Sequence, residues 1–192
     1  MSLTAEQFSE QRWELPEDGR WSELIAGEIV QLSPPDSMHG TSVLNLSKRL
    51  AEHRQRNPEI SGAACFDQGL VVSRQPDSVF LPALSVIPDV GPFDLADQFL
   101  TEQCPTLVVE IVSSTDRRKL INSKVEVYWT VGVETVWIVD QNDQAVLVLD
   151  AEGTQSRLTE ADQLTDDASL PGFSMSVGEL FQEPGWWSGS RK

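Results

Sequence analysis

Two runs separated by a helical stretch constrain the fold most. Thr106 to Val112 reads TLVVEIV and Thr135 to Asp140 reads TVWIVD, and both are apolar on both faces apart from single acids. Strands of that kind are covered by protein on either side. Ser113, Ser114 and Thr115 break the first run, and a helix is predicted from Arg117 to Val131, with Gly132 as its C-cap. A strand, helix, strand unit of this length is a crossover connection, so the two strands are expected to lie parallel in one sheet.

The flanking segments add antiparallel elements. In WSELIAGEIVQLSPP, Trp21–Leu24 and Gly27–Leu32 read as a hairpin that turns at Ala26-Gly27 and stops at Pro34-Pro35. Asp36 or Ser37 then caps a helix running to about Arg56, with Val43, Leu46, Leu50 and Ala51 as its apolar stripe. Gly62–Ser73 and Leu84–Val90 are predicted strands joined by the polar Arg-Gln-Pro-Asp connection, and a loop rich in Pro, Asp and Gln follows from Gly91 to Pro105. Beyond Asp140, the turn QNDQ and the runs AVLVLD and TQSRLT form an expected antiparallel meander, and LPGFSMSVGELF closes the domain.

The fold class expected is therefore α/β, of the α+β kind: a mixed sheet flanked by helices, with an added antiparallel meander. With 192 residues, the chain is expected to hold one domain over residues 21–181, preceded by an extension, 1–20, and followed by a tail, 182–192.

Composition narrows the functions. Hydrophobic residues make up 40% and charged residues 23%, the balance of a globular chain. No apolar run reaches the roughly 20 residues of a membrane span, and MSLTAEQFSEQRW has neither a basic nor an apolar leader region, which predicts a cytoplasmic protein. Cys65 and Cys104, with no CxxC and no Cys/His ligand cluster, argue against a disulfide scaffold and a structural zinc site. The net charge of −16 argues against nonspecific coating of nucleic acid, which rests on lysine and arginine. Basic residues nevertheless gather in two segments, Lys48 to Arg56 and Arg117 to Lys124, where a local basic surface or simple solvated faces are the two readings.

Three residues break the rule of their own element. Glu110 shares a strand face with Val108 and Val112, where a carboxylate is costly unless it is paired or binds a metal. Asp89 ends the run SVIPDV beside Pro88. Lys124 stands in the helical stripe formed by Leu120, Ile121, Tyr128 and Val131. Two carboxylates and a lysine directed at one sheet are the parts of a hydrolytic metal site. The acids would hold Mg²⁺ or Mn²⁺, and the ammonium would orient water and offset charge on a phosphate. The structural alternatives are a buried Glu110–Lys124 ion pair and a turn-forming Asp89.

The order Pro88-Asp89, Glu110-Ile111-Val112, Lys124 resembles the PD-(D/E)XK nuclease superfamily in the variant whose lysine has moved to the following helix. The blocks ELIAGEIVQLSPP, His39-Gly40, LVVEIVSSTDRRKL, Lys124 to Tyr128, GVETVWIVD and LPGFSMSVGELF resemble the Uma-type family of restriction-endonuclease-like proteins, from Trp21 to Phe181. The resemblance implies a helix, mixed sheet, helix core with Asp89 and Glu110 as metal ligands and the Ile111 carbonyl as a third. Lys124 would stand where the simple motif has Val112. An N-terminal acid is also implied, matched best by Glu28, with Glu23 as competitor.

His39 precedes the first long helix, as a cleft residue or a local hydrogen-bond partner. Arg117 and Arg118 open the Lys124 helix, either as bidentate phosphate ligands or as a solvated helix start. Trp186-Trp187 offer base stacking, burial against a partner subunit or a disordered end. A Mg²⁺-dependent endonuclease acting on DNA is the function expected, as a homodimer because duplex cutting by a single-site nuclease needs two copies. A non-enzymatic binding or assembly module of the same fold and a hydrolase for a small phosphorylated compound are the alternatives.

Overall fold

A computed structural model describes residues 2–91, 94–95 and 97–185. Trp186 and Trp187 lie outside the described residues. The chain opens with α1 (Ala5–Gln11), started by a capping box in which the Thr4 hydroxyl accepts from Gln7 N–H and the Gln7 side chain accepts from Thr4 N–H. The expected hairpin follows as β1 (Ser22–Ile25) and β2 (Glu28–Gln31), turning at Ala26 and Gly27, both with positive φ. The long helix α2 (Ser37–Arg56) is capped by Asp36, whose carboxylate accepts from His39 N–H.

Gly62–Ser73, read above as one strand, is two. It divides into β3 (Ala63–Cys65) and β4 (Gly69–Ser73), which belong to different sheets. The break falls at Asp67, whose φ of 48° no strand continues through. The polar connection after it is the turn of a further hairpin, since Ser78–Phe80 forms β5 against β4. Next come β6 (Leu84–Ile87) and a short β7 (Leu100–Thr101) within the expected loop.

The crossover unit stands as the sequence predicts. β8 (Leu107–Val112) leads into α3 (Thr115–Val131) and β9 (Thr135–Asp140), and β8 and β9 pair in parallel. The meander is β10 (Ala145–Asp150) and β11 (Gln155–Leu158), both antiparallel additions beyond β9. A small hairpin, β12 (Gln163–Thr165) and β13 (Ser174–Ser176), precedes α4 (Val177–Phe181).

The larger sheet runs β11-β10-β9-β8-β6-β3, and a second sheet runs β2-β1-β5-β4-β7. One face of the larger sheet carries Leu107, Val109, Ile111 and Trp137 against α2, α4 and the small hairpin. Its other face carries Val108, Val112 and Ile138 against α3 residues Ile121, Val125 and Tyr128, and the same cluster takes in Leu70, Val72 and Phe80 of the second sheet. The far face of the second sheet is closed by Ala5 and Phe8 of α1 against Leu24, Val71 and Val79. Glu110 therefore faces a layer bounded by α3 and the second sheet.

Candidate active site

Alternation along two strands and the stripe of one helix bring four polar side chains together. On β8, Val108 and Val112 face α3, so Glu110 does too. On β1, Leu24 faces α1, which turns its neighbour Glu23 the opposite way, toward α3. From α3, Lys124 and Tyr128 come one turn apart, and the helix ends at Gly132 with φ of 95°.

Lys124 Nζ lies 2.7 Å from Glu23 Oε1 and 2.5 Å from Glu110 Oε1. Tyr128 donates its hydroxyl to Glu110 Oε1 at 2.5 Å, and Leu81 N–H donates to Glu23 Oε1 at 2.8 Å. All four side chains are buried; Lys124 is 5% exposed and Glu23 is 1% exposed. Glu23 Oε2 has no hydrogen-bond partner among the described residues. The Phe80 ring lies 5.1 Å below the ammonium.

Charge and burial compete at each member. Burial pushes Glu110 above its usual range, while Lys124 pulls it down and Glu23 adds to the rise. Burial opposes the charge on Lys124, but Glu110 and Glu23 together hold its ammonium above the ordinary lysine value. Burial, reinforced by the two carboxylates, raises Tyr128 well above ordinary tyrosine, which keeps it a hydrogen-bond donor.

The cluster floors a cleft of about 30 Å³, room for one or two water molecules. His39, Ile111, Arg117, Asp67 and Ala83 are among its other lining residues. His39 is buried, with Nδ1 3.3 Å from Ser113 Oγ. Desolvation first, and Arg117 second, lower its pKa to about 4, so the ring is neutral at pH 7. Arg117 donates to the Ser33 carbonyl at 2.7 Å and to Ser114 Oγ at 3.2 Å.

The structure thus brings together Glu110, Ile111, Lys124, His39 and Arg117, and leaves three predicted residues elsewhere. Asp89 is exposed in a turn with φ of 56°, where it accepts from Ser61 Oγ at 3.4 Å. β6 runs antiparallel to β8 with Leu84 opposite Val109, so one more step sets Ala83 beside Glu110. Asp89 is six residues further on, roughly 20 Å at about 3.3 Å per strand residue. Glu28 is exposed at the first position of β2, whereas Glu23 carries the buried carboxylate. Arg118 is held by Asp140 through two bonds of 2.7 and 2.8 Å, away from the cleft lining. Tyr128 stands in the sequence reading in the apolar stripe and in the Lys124 to Tyr128 block, with no role assigned; its place one turn after Lys124 is the signal for its role.

Among the described residues, no group of three or more His, Cys, Asp and Glu side chains is arranged to hold a metal ion. The oxygens present still suit Mg²⁺, which binds through one or two carboxylates and completes its shell with water and substrate phosphate. Glu23 and Glu110 meet on the Lys124 ammonium, and the second oxygen of Glu23, buried and without a hydrogen-bond partner among the described residues, would be free to serve as a ligand atom.

A mixed sheet flanked by helices, with a buried carboxylate on its central strand paired to a lysine on the crossover helix, makes this an α+β protein. Residues 5–178 match the Uma2 family, whose description is "Putative restriction endonuclease", and the chain belongs to that family. The fold is also that of a crystal structure from Anabaena variabilis ATCC 29413 described as "a putative nuclease belonging to DUF820". The two are 17% identical, with a TM-score of 0.72 over 93% of this chain and 97% of that one. No curated protein matches the chain. No helix among the described residues is long and apolar enough to cross a membrane.

Proposed function

We propose that the chain is a Mg²⁺-dependent endonuclease that hydrolyses phosphodiester bonds of DNA in the Glu23–Glu110–Lys124 cleft, acting in the cytoplasm as a homodimer. The observation that carries the reading is the single ammonium of Lys124 bridging two buried carboxylates, one with an oxygen unpartnered among the described residues, in the lining of a small cleft. Glu110, Glu23 and the carbonyl of Ile111 would hold Mg²⁺, with Mn²⁺ as a substitute. Bound there, the ion supplies Lewis-acid polarisation of the phosphate and a more acidic water.

The chain's own groups do the rest. Lys124 places a fixed positive charge where negative charge grows on the phosphate. Arg117, half-buried at the cleft, offers a guanidinium for a phosphate oxygen. His39 presents a neutral imidazole at neutral pH, a hydrogen-bond partner for water in the cleft, while its lowered pKa makes it a weak base. Tyr128 holds Glu110 in place.

Ala83, in the cleft where an acid from β6 would complete the ligand set, favours the second reading, a nuclease-fold module that binds without cutting. Calorimetric titration with Mg²⁺ and Mn²⁺ separates the two. The nuclease reading expects saturable binding that Glu110→Gln and Glu23→Gln each weaken at least tenfold. Binding unchanged in both variants, or absent in the wild type, overturns it in favour of the module.

A further inference from the structure

Beside the cleft, Arg12, Trp13, Phe66 and Phe99 line a groove of about 420 Å³. The two cavities meet at Asp67, which lines both. Trp13 is 65% exposed and Phe66 39%, although rings of this size usually bury. Behind them, the Arg12 guanidinium carbon lies 3.7 Å from the Phe99 ring centroid and 4.8 Å from that of Trp13.

Cations gather at the same border. Arg12, Arg20 and Arg117 all act electrostatically on Asp67, and none of the three makes an ion pair within 4 Å among the described residues. The acids near them are Asp67 and Asp97 on the groove, Asp18 near Arg12, and Glu23 and Glu110 in the cleft that Arg20 and Arg117 also line. In a chain of net charge −16, three guanidiniums with no carboxylate within 4 Å among the described residues are a local exception that suits an anion. Two further groups on the groove, Arg12 Nε and Gln68 Oε1, have no hydrogen-bond partner among the described residues, on side chains nine-tenths or more buried.

We propose that this groove binds an unstacked nucleotide of single-stranded DNA, its base on Trp13 and Phe66 and its phosphates on Arg20 and Arg117, adjoining the phosphodiester in the cleft. The proposal rests on the nuclease reading for its choice of DNA. Exposed aromatic rings bind any base by its π-face, and guanidiniums track the backbone. The bases of an intact duplex are stacked on one another and reach such rings only after extrusion. The substrate class that follows is single-stranded or frayed DNA in preference to closed duplex.

The test is fluorescence anisotropy with labelled oligothymidylate and a duplex of equal length, in EDTA so that no cleavage intervenes. The single strand should bind more tightly. Trp13→Ala and Phe66→Ala should each weaken it roughly fivefold or more, the scale of base stacking, with the urea midpoint and duplex binding unchanged. Trp13→Phe should restore most of the loss, which a merely structural role would not require. Arg20→Gln should reduce the slope of log affinity against log salt by about 0.7. Single-strand affinity unaffected by both aromatic variants, or equal affinity for duplex, overturns the proposal. The nuclease reading fails separately: aromatic-dependent binding without metal-dependent cleavage leaves the groove standing, and cleavage with indifferent aromatic variants removes the groove alone.

Discussion

Lys124 is the residue on which the site's charge balance turns. Its ammonium compensates both Glu23 and Glu110, so Lys124→Met, which suits the helical stripe by shape, leaves two carboxylates buried together. Breaking a buried pair in this way costs about 3–5 kcal/mol. Adding Glu110→Gln to Lys124→Met should recover part of that loss, and a double-mutant cycle in urea reads the coupling directly. Strictly additive losses would mean that the two groups do not compensate each other.

His39 gives the pH dependence. Its pKa falls from about 6.5 unfolded to about 4 folded, so the unfolded chain binds the extra proton between those values and stability drops as pH falls through that window. From pH 7 to pH 5 the loss assigned to His39 is on the order of 2 kcal/mol, at about 1.36 kcal/mol per unit. The difference between wild type and His39→Gln in urea melts at the two pH values isolates it. An identical pH dependence in both proteins would contradict the burial of a neutral ring.

At the scale of elements, α3 must stop sharply for β9 to enter the sheet parallel to β8. Gly132 makes that turn at φ of 95°, and an added Cβ would meet only Cys104 Sγ at 3.5 Å, an ordinary contact. Gly132→Ala should therefore cost about 1 kcal/mol through backbone conformation alone, read as a lower urea midpoint with an unchanged slope.

The crossover unit was legible because doubly covered strands and a helical stripe are strong local patterns. Glu110 and Lys124 were legible because each violates its pattern. Glu23 violates its own strand in the same manner, but in a run of four residues the choice between it and Glu28 depends on which face meets α3, a tertiary fact. Asp89 misled for the same reason: Pro-Asp beside a strand has one spelling at either end, and register with β8 decides which end meets Glu110. The division of Gly62–Ser73 between two sheets was hidden because Asp67 at positive φ leaves no hydrophobic trace.

At the scale of the whole molecule, the second sheet supplies Glu23 and Phe80 to a site whose other members belong to the crossover unit. Without the β1–β2 hairpin, Lys124 would lose one of its two carboxylates and Leu81 N–H its acceptor. The homodimer proposed for duplex cutting predicts twice the chain mass by sedimentation equilibrium. A monomer mass that persists as concentration rises would contradict it.

The most direct test of the account is cleavage of supercoiled plasmid, with single-stranded circular DNA beside it, under Mg²⁺ or Mn²⁺, comparing wild type with Glu110→Gln. That variant keeps the shape of the side chain and leaves Glu23 to pair Lys124, so folding is retained while a ligand oxygen loses its charge. The account predicts nicking or linearisation that requires the divalent ion, stops with EDTA and falls at least a hundredfold in the variant. Metal-dependent cleavage of equal rate in Glu110→Gln, or none in a wild type that binds the ion, would contradict it.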